Sequence, residues 1–149
     1  MPSEREATVT WRNGLAFEAK VGSGHALGLD ASAEHGGRNG GPSPMELLLA
    51  GLGGCTGMDV IALLRKMRQQ VTAYRVEVRG ARRHEHPQVY TDIEVVHVVR
   101  GRDLDPRSIA RAVELSATRY CPASAMLSAA AKVEHSYRIE TEEGDSPRG

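Results

Sequence analysis

The sequence has no excess of charge of either sign. Its 149 residues include 19 Lys and Arg against 19 Asp and Glu, so the formal net charge at pH 7 is zero. Proteins that bind nucleic acid or anionic membrane surfaces usually carry a clear positive balance. The composition therefore argues against both as general partners.

We expect neither a secretory leader nor a membrane span. The first six residues are polar, and no apolar segment follows them. The most apolar stretch, residues 45–64, contains Glu46, Asp59 and four glycines, which favours a buried helix over a transmembrane one. We therefore expect a cytoplasmic protein whose thiols stay reduced.

The sequence also lacks the common metal and phosphate motifs. It contains neither Cys-x-x-Cys nor a His-x-x-x-His pair, the spacings that typically bind zinc. His84 and His86 fall in a charged segment, and the Gly-rich stretch 36–41 lacks the lysine of a phosphate-binding loop. We therefore predict no metal ion and no cofactor.

The first part of the chain predicts three sequential β-strands. Apolar and polar residues alternate there, as in strands with one buried face. The Asn13-Gly14 pair between the first two runs is typical of a tight hairpin. The predicted strands are residues 6–12, 15–21 and 25–29, and a Gly-rich polar loop follows.

A long helix is predicted after this loop. Ser43 supplies a cap, Pro44 fits the first helical position and Glu46 completes a capping box, so the helix runs from here to about Gln69. Its first half is apolar nearly all round, which predicts burial on every side. Each of its four glycines costs about 1 kcal/mol relative to alanine, so we expect another backbone to approach closely.

The second part of the chain predicts two strands, two helices and a last strand. The order βββ–α–ββ–αα–β is typical of an α+β fold rather than of alternating βαβ units. We predict one domain over residues 1–140 and a disordered tail over 141–149. The predicted elements are strands 72–80 and 89–99, a helix opened by Asp105-Pro106, a short helix 121–132 and a strand 133–140.

The only two cysteines lie where sulfur chemistry is feasible. Cys55 lies inside the long apolar helix, and Cys121 with Pro122 opens a short one. The thiolate is the reactive form of cysteine. If the fold brings the two sulfurs together, the chain has a redox pair; if it does not, they are two small apolar residues.

Three segments of the chain form a recognisable pattern: Gly41-Pro42-Ser43-Pro44-Met45-Glu46, Leu52-Gly53-Gly54-Cys55-Thr56 and Tyr120-Cys121-Pro122. Together they resemble the OsmC/Ohr proteins, which are named for osmotic induction and organic hydroperoxide resistance. The resemblance is to the OsmC-like branch and covers about residues 7–140.

The resemblance implies a fold, an assembly and an activity. The fold is an intertwined homodimer in which antiparallel sheets wrap the central Cys-bearing helices of both chains. The activity is a thiol-dependent peroxidase that reduces organic hydroperoxides in stress defence. Cys55 is then the peroxidatic residue and Cys121 the resolving one, and an external dithiol reduces their disulfide.

The sequence departs from the family pattern in the charged residues around the first cysteine. The family glutamate, ten residues before that cysteine, is Met45 here. Glu46 lies on the opposite helix face, roughly 13 Å along the axis from Cys55, so we expect it to be a capping residue. An arginine must stabilise the thiolate, and Arg38 is our first choice and Arg12 our second.

A second function class follows from these departures. Asp59 lies one helical turn after Cys55, and a carboxylate there opposes thiol ionisation. With Met45 in place of the glutamate, this favours an alternative function. The alternative is a non-catalytic OsmC-like protein that binds a small apolar or lipid-like ligand.

Overall fold

The computed structural model describes residues 4–141, and their backbone forms an α+β fold. The predicted order of elements is confirmed. Of the predicted tail, Thr141 ends the last strand and the other residues lie outside the described range. The elements are β1 (Ala7–Asn13), β2 (Ala16–Val21), β3 (Ala26–Leu29), α1 (Pro44–Lys66), β4 (Gln70–Arg82), β5 (Tyr90–Arg102), α2 (Pro106–Leu115), α3 (Pro122–Ser128) and β6 (Lys132–Thr141).

The chain divides into two compact units, the first ending at Leu48 and the second beginning at Leu49. The first unit contains the antiparallel sheet β1-β2-β3. Gly14, at φ +53°, turns the chain between β1 and β2, as the Asn-Gly pair predicts. Every residue of β1 is exposed.

The start of α1 is the predicted capping box. The Ser43 N–H donates to Glu46 Oε1 at 2.9 Å, and the Glu46 N–H donates to Ser43 Oγ at 3.2 Å. Glu46 is thus a capping residue, as expected. The helix ends at Lys66, before the predicted end, because Arg68 adopts a left-handed φ of +60°.

The second unit contains the sheet β4-β5-β6. β4 and β5 are antiparallel and thirteen residues long each. β6 runs parallel to β5, a pairing that the expectation of antiparallel sheets did not include. The physical reason is that α2 and α3 intervene, and a helical crossover returns the chain in the same direction.

The core of the second unit forms around one face of α1. Leu52, Thr56, Val60 and Leu64 are 0% exposed and repeat every four residues. Burial on all sides is not found in the single chain, where Met58 is 74% exposed. By length and composition α1 is also a candidate membrane span, but its buried ridge is typical of a core helix. Val60 and Leu64 of this ridge belong to one core cluster with Val99, Ile109, Ala112 and Val113.

Candidate active site

The fold brings the two cysteine side chains together. Cys55 lies in the middle of α1, and Cys121 directly precedes α3 as its N-cap. Both are free thiols, with Cys55 half-buried and Cys121 buried. The Cys55 side chain lies near enough to contribute to the raised pKa of Cys121. The fold therefore places the two thiols near each other, as a redox pair requires.

Backbone contacts hold Cys121 in place. Its N–H donates to the Ser116 carbonyl at 2.9 Å, and its Sγ accepts the Ser124 N–H at 3.3 Å. Burial, with the Cys55 sulfur as a further cause, raises the pKa of Cys121 to about 11, and the Ser124 N–H opposes this. The Cys121 thiol is therefore protonated at neutral pH.

A buried hydroxyl pair links both cysteine segments to one carboxylate. Ser116 Oγ donates to Asp59 Oδ2 at 3.0 Å. Ser116 has only one hydroxyl proton, so Thr56 donates in the 2.7 Å contact between Thr56 Oγ1 and Ser116 Oγ. Thr56 follows Cys55 in the chain, and the Ser116 carbonyl accepts from Cys121. Asp59, which the sequence suggested only as a carboxylate that opposes ionisation of Cys55, accepts the Ser116 hydroxyl and anchors this link.

A pair formed by the half-buried Tyr74 and the buried His97 in the sheet was missed by sequence reasoning. Tyr74 Oη lies 2.7 Å from His97 Nδ1, and the two rings stack with centroids 6.0 Å apart. Burial, with His135 as a second cause, lowers the pKa of His97 to about 4. Burial and the charge of Asp59 raise the pKa of Tyr74 above its ordinary value. The sequence feature that could have revealed this pair is a histidine inside the apolar run of β5.

His135, on β6, extends this pair toward Cys121. Its ring stacks on His97 with centroids 5.8 Å apart, and its Nε2 lies 3.1 Å from Ser124 Oγ. Burial lowers the pKa of His135. Ser124 is also the residue whose N–H contacts Cys121 Sγ. A polar cluster therefore connects the sheet to the Cys121 segment.

Two of the α1 glycines allow strand β4 to approach the helix closely. A Cβ at position 53 would lie 3.0 Å from Val78 Cγ2, and a Cβ at position 57 would lie 3.3 Å from Val76 Cγ2. The expectation that another backbone approaches the glycines is not met among the described residues, because the neighbours at these two positions are side chains of β4. A Cβ at Gly51 or Gly54 would meet no described atom within 4 Å outside its own helix segment.

Two grooves lie between α1 and β4, with volumes of about 430 and 480 Å³. Both are bordered by Gly54, the residue before Cys55. The larger is lined mainly by apolar residues, among them Met58, Ile61, Val71 and Ala73. Across residues 4–141, no group of three or more His, Cys, Asp or Glu side chains could hold a metal ion.

The two candidate arginines lie in the first unit, whereas both cysteines lie in the second. Arg12 forms an ion pair with Glu18 on the neighbouring strand. Arg38 is exposed in the loop before α1. The choice of Arg38 over Arg12 as the partner of Cys55 therefore stays a prediction.

A buried aspartate organises the loop that contains Arg38. Asp30 is 6% exposed, and its carboxylate accepts from the backbone N–H groups of Ala31 at 2.7 Å, Gly40 at 3.1 Å and Arg38 at 3.3 Å. These N–H groups, that of Ala31 first, hold the pKa of Asp30 below its usual value. The backbone at Arg38 is thus fixed within the first unit.

Comparison with known proteins establishes the family. The family described as OsmC-like protein matches residues 36–136. This chain belongs to the OsmC-like family. Protein YhfA of Escherichia coli (strain K12) is 40% identical over 134 residues, which are 90% of this chain and 97% of YhfA.

Solved structures share the OsmC-like fold. A hypothetical protein from Aquifex aeolicus VF5 is 30% identical with a TM-score of 0.83, covering 95% of this chain and all of the other. The organic hydroperoxide resistance protein OsmC of Legionella pneumophila is 17% identical with a TM-score of 0.64, covering 91% of this chain and 97% of that one. At that identity the likeness shows the fold alone. Proteins of hydroperoxide resistance thus share this fold.

Proposed function

We propose that this OsmC-like protein reduces organic hydroperoxides with its two thiols. The main support is that the fold places Cys55 near enough to Cys121 to influence the pKa of its thiol. The Cys55 thiolate attacks the O–O bond, an S–O bond forms, and the released alkoxide takes up a proton to leave as an alcohol. Cys121 then attacks the Cys55 sulfenic acid, water leaves, and an external dithiol reduces the disulfide.

Burial supports this assignment of roles. Cys121 is 4% exposed and keeps its proton at neutral pH, whereas Cys55 is half-buried and directly follows Gly54, which borders both grooves along α1. An incoming peroxide therefore meets Cys55 first. Cys121, which lies near Cys55 in the fold, is suited to attack the Cys55 sulfur once it is oxidised.

We assign Arg38 to the stabilisation of the Cys55 thiolate and of the departing alkoxide. A guanidinium supplies the positive charge and the donors that both species need. The ordered backbone of Arg38, held by Asp30, and the ion pair that engages Arg12 with Glu18 favour Arg38.

The active form in this proposal is a homodimer. Large apolar side chains are exposed in both units, with Trp11 62%, Val9 54% and Met58 74% accessible. Gly51 and Gly54 leave open space along α1 into which a second backbone can fit. Apolar exposure of this extent is typical of surfaces that a partner covers, and a second copy of this chain fits the self-complementary glycine face.

Peroxide turnover tests the proposed chemistry. We expect the protein to consume cumene hydroperoxide in the presence of dithiothreitol, and Cys55→Ser to abolish consumption. Cys121→Ser should still form a sulfenic acid, detected by dimedone labelling, but no intramolecular disulfide. Cys55 that stays unmodified after excess peroxide would contradict the proposal.

The apolar groove beside Gly54 favours the second candidate, a binding protein for a small apolar or lipid-like ligand. Native mass spectrometry of the purified protein tests it. A stoichiometric co-purifying ligand, together with absent peroxide turnover, would support this candidate over the peroxidase. A ligand-free protein with fast turnover would reject it.

A further inference from the structure

Ser124 connects the resolving cysteine to His135, a half-buried histidine on β6. Its N–H donates to Cys121 Sγ at 3.3 Å, and its Oγ lies 3.1 Å from His135 Nε2. Ser124 is 3% exposed, so neither contact competes strongly with solvent. Ser124, in the first turn of α3, therefore hydrogen-bonds Cys121 through its backbone and His135 of the sheet through its side chain.

The bond to Ser124 involves only one of the two nitrogens of His135. Nδ1 is buried and has no hydrogen-bond partner among the described residues, whereas Nε2 contacts the serine. The ring is fixed from one side by stacking on His97 with centroids 5.8 Å apart. A buried polar group with a single partner loses more when that partner is removed than an exposed one does.

We propose that His135 is a positioning residue for Cys121, acting through Ser124. Its Nε2 fixes the Ser124 side chain, and this holds the Ser124 N–H on the Cys121 sulfur and keeps that sulfur directed at Cys55. The role rests on the proposed function, in which Cys121 must reach Cys55 after oxidation. It concerns the second chemical step and leaves the first to Cys55.

Ellman's reagent separates the two steps without any peroxide. The Cys55 thiolate attacks the reagent, forms a mixed disulfide and releases one thionitrobenzoate. Cys121 then attacks the Cys55 sulfur: its S–H proton goes to solvent, the new Sγ–Sγ bond forms, and the second thionitrobenzoate leaves with the electron pair of the broken S–S bond. The second absorbance phase therefore measures the attack by Cys121.

Two amide replacements at His135 form a matched pair. His135→Gln puts an amide near the position of Nε2 and can still bond Ser124, whereas His135→Asn puts it near the unpartnered Nδ1. We expect His135→Asn to slow the second phase about five- to tenfold, the factor for one lost hydrogen bond, and His135→Gln to restore most of the rate. Neither should change the first phase.

Ser124→Ala provides an independent variant. It removes the hydroxyl and keeps the backbone N–H, so it should slow the second phase as His135→Asn does. The double variant should be no slower than either single one, because both break the same contact. Thermal unfolding of each variant checks that the fold is retained.

Equal second-phase rates in His135→Gln and His135→Asn, or additive effects in the double variant, would overturn the proposal. The failure of the peroxidase proposal looks different. In that case the reaction with Ellman's reagent has its two phases, and the second phase responds to the His135 variants as expected, but cumene hydroperoxide is not consumed. This result would reject the peroxidase and retain the positioning role. Release of a single equivalent by the wild type would reject both.

Discussion

Acidification should weaken the fold through His97. The imidazole is 0% exposed, and burial lowers its pKa from 6.5 to about 4. In the unfolded chain the group regains its ordinary pKa, so between these two values the unfolded state binds the proton and the folded state does not. The contribution of neutral His97 to the free energy of unfolding is therefore fully present above about pH 6.5 and is lost as the pH falls toward 4.

The magnitude follows from the two pKa values. Between pH 8 and pH 5 the linkage relation gives a loss of about 2 kcal/mol in the free energy of unfolding. His97→Asn removes the titration and keeps an amide near Nδ1 for the Tyr74 hydroxyl. The variant has a packing defect of its own, but that cost is the same at both pH values and cancels in the comparison.

Urea unfolding at pH 8 and pH 5 measures the effect. The difference in the free energy of unfolding between wild type and His97→Asn should shrink by about 2 kcal/mol at the lower pH. Only in the wild type does the unfolded chain take up a proton at residue 97 that the folded chain does not bind. His84→Asn, which removes an exposed loop histidine, serves as the control and should follow the wild type at both pH values. Parallel curves for wild type and His97→Asn would refute the reasoning.

Two further predictions concern the link between the cysteine segments and the assembly. Thr56→Val removes the donor to Ser116 Oγ in a fully buried site. It should lower the free energy of unfolding, measured with urea, by about 1 kcal/mol and slow disulfide formation. An unchanged unfolding midpoint would contradict this. Trp11→Asp puts a charge on a face that the proposed dimer covers. Analytical ultracentrifugation should therefore find a dimer for the wild type and a monomer for the variant. A monomeric wild type would reject the dimer.

Local sequence determined most of the secondary structure. The Asn13-Gly14 hairpin, the Ser43–Glu46 capping box and the cap at Asp105, which accepts the Arg107 N–H at 3.0 Å, each involve residues a few positions apart. Such preferences are physical properties of short segments, and they act before any tertiary contact forms. The motifs around the two cysteines likewise identified the OsmC-like family, which the comparisons confirm.

Only the tertiary structure decided the partners of the buried polar groups. Asp59 receives its hydrogen bond from Ser116, 57 positions away, and Ser124 meets His135 across the packing of α3 on β6. The parallel pairing of β6 also depends on how the helical crossover returns the chain. Burial sets the protonation state of His97 and of the Cys121 thiol, and burial is a property of the packed molecule rather than of any segment.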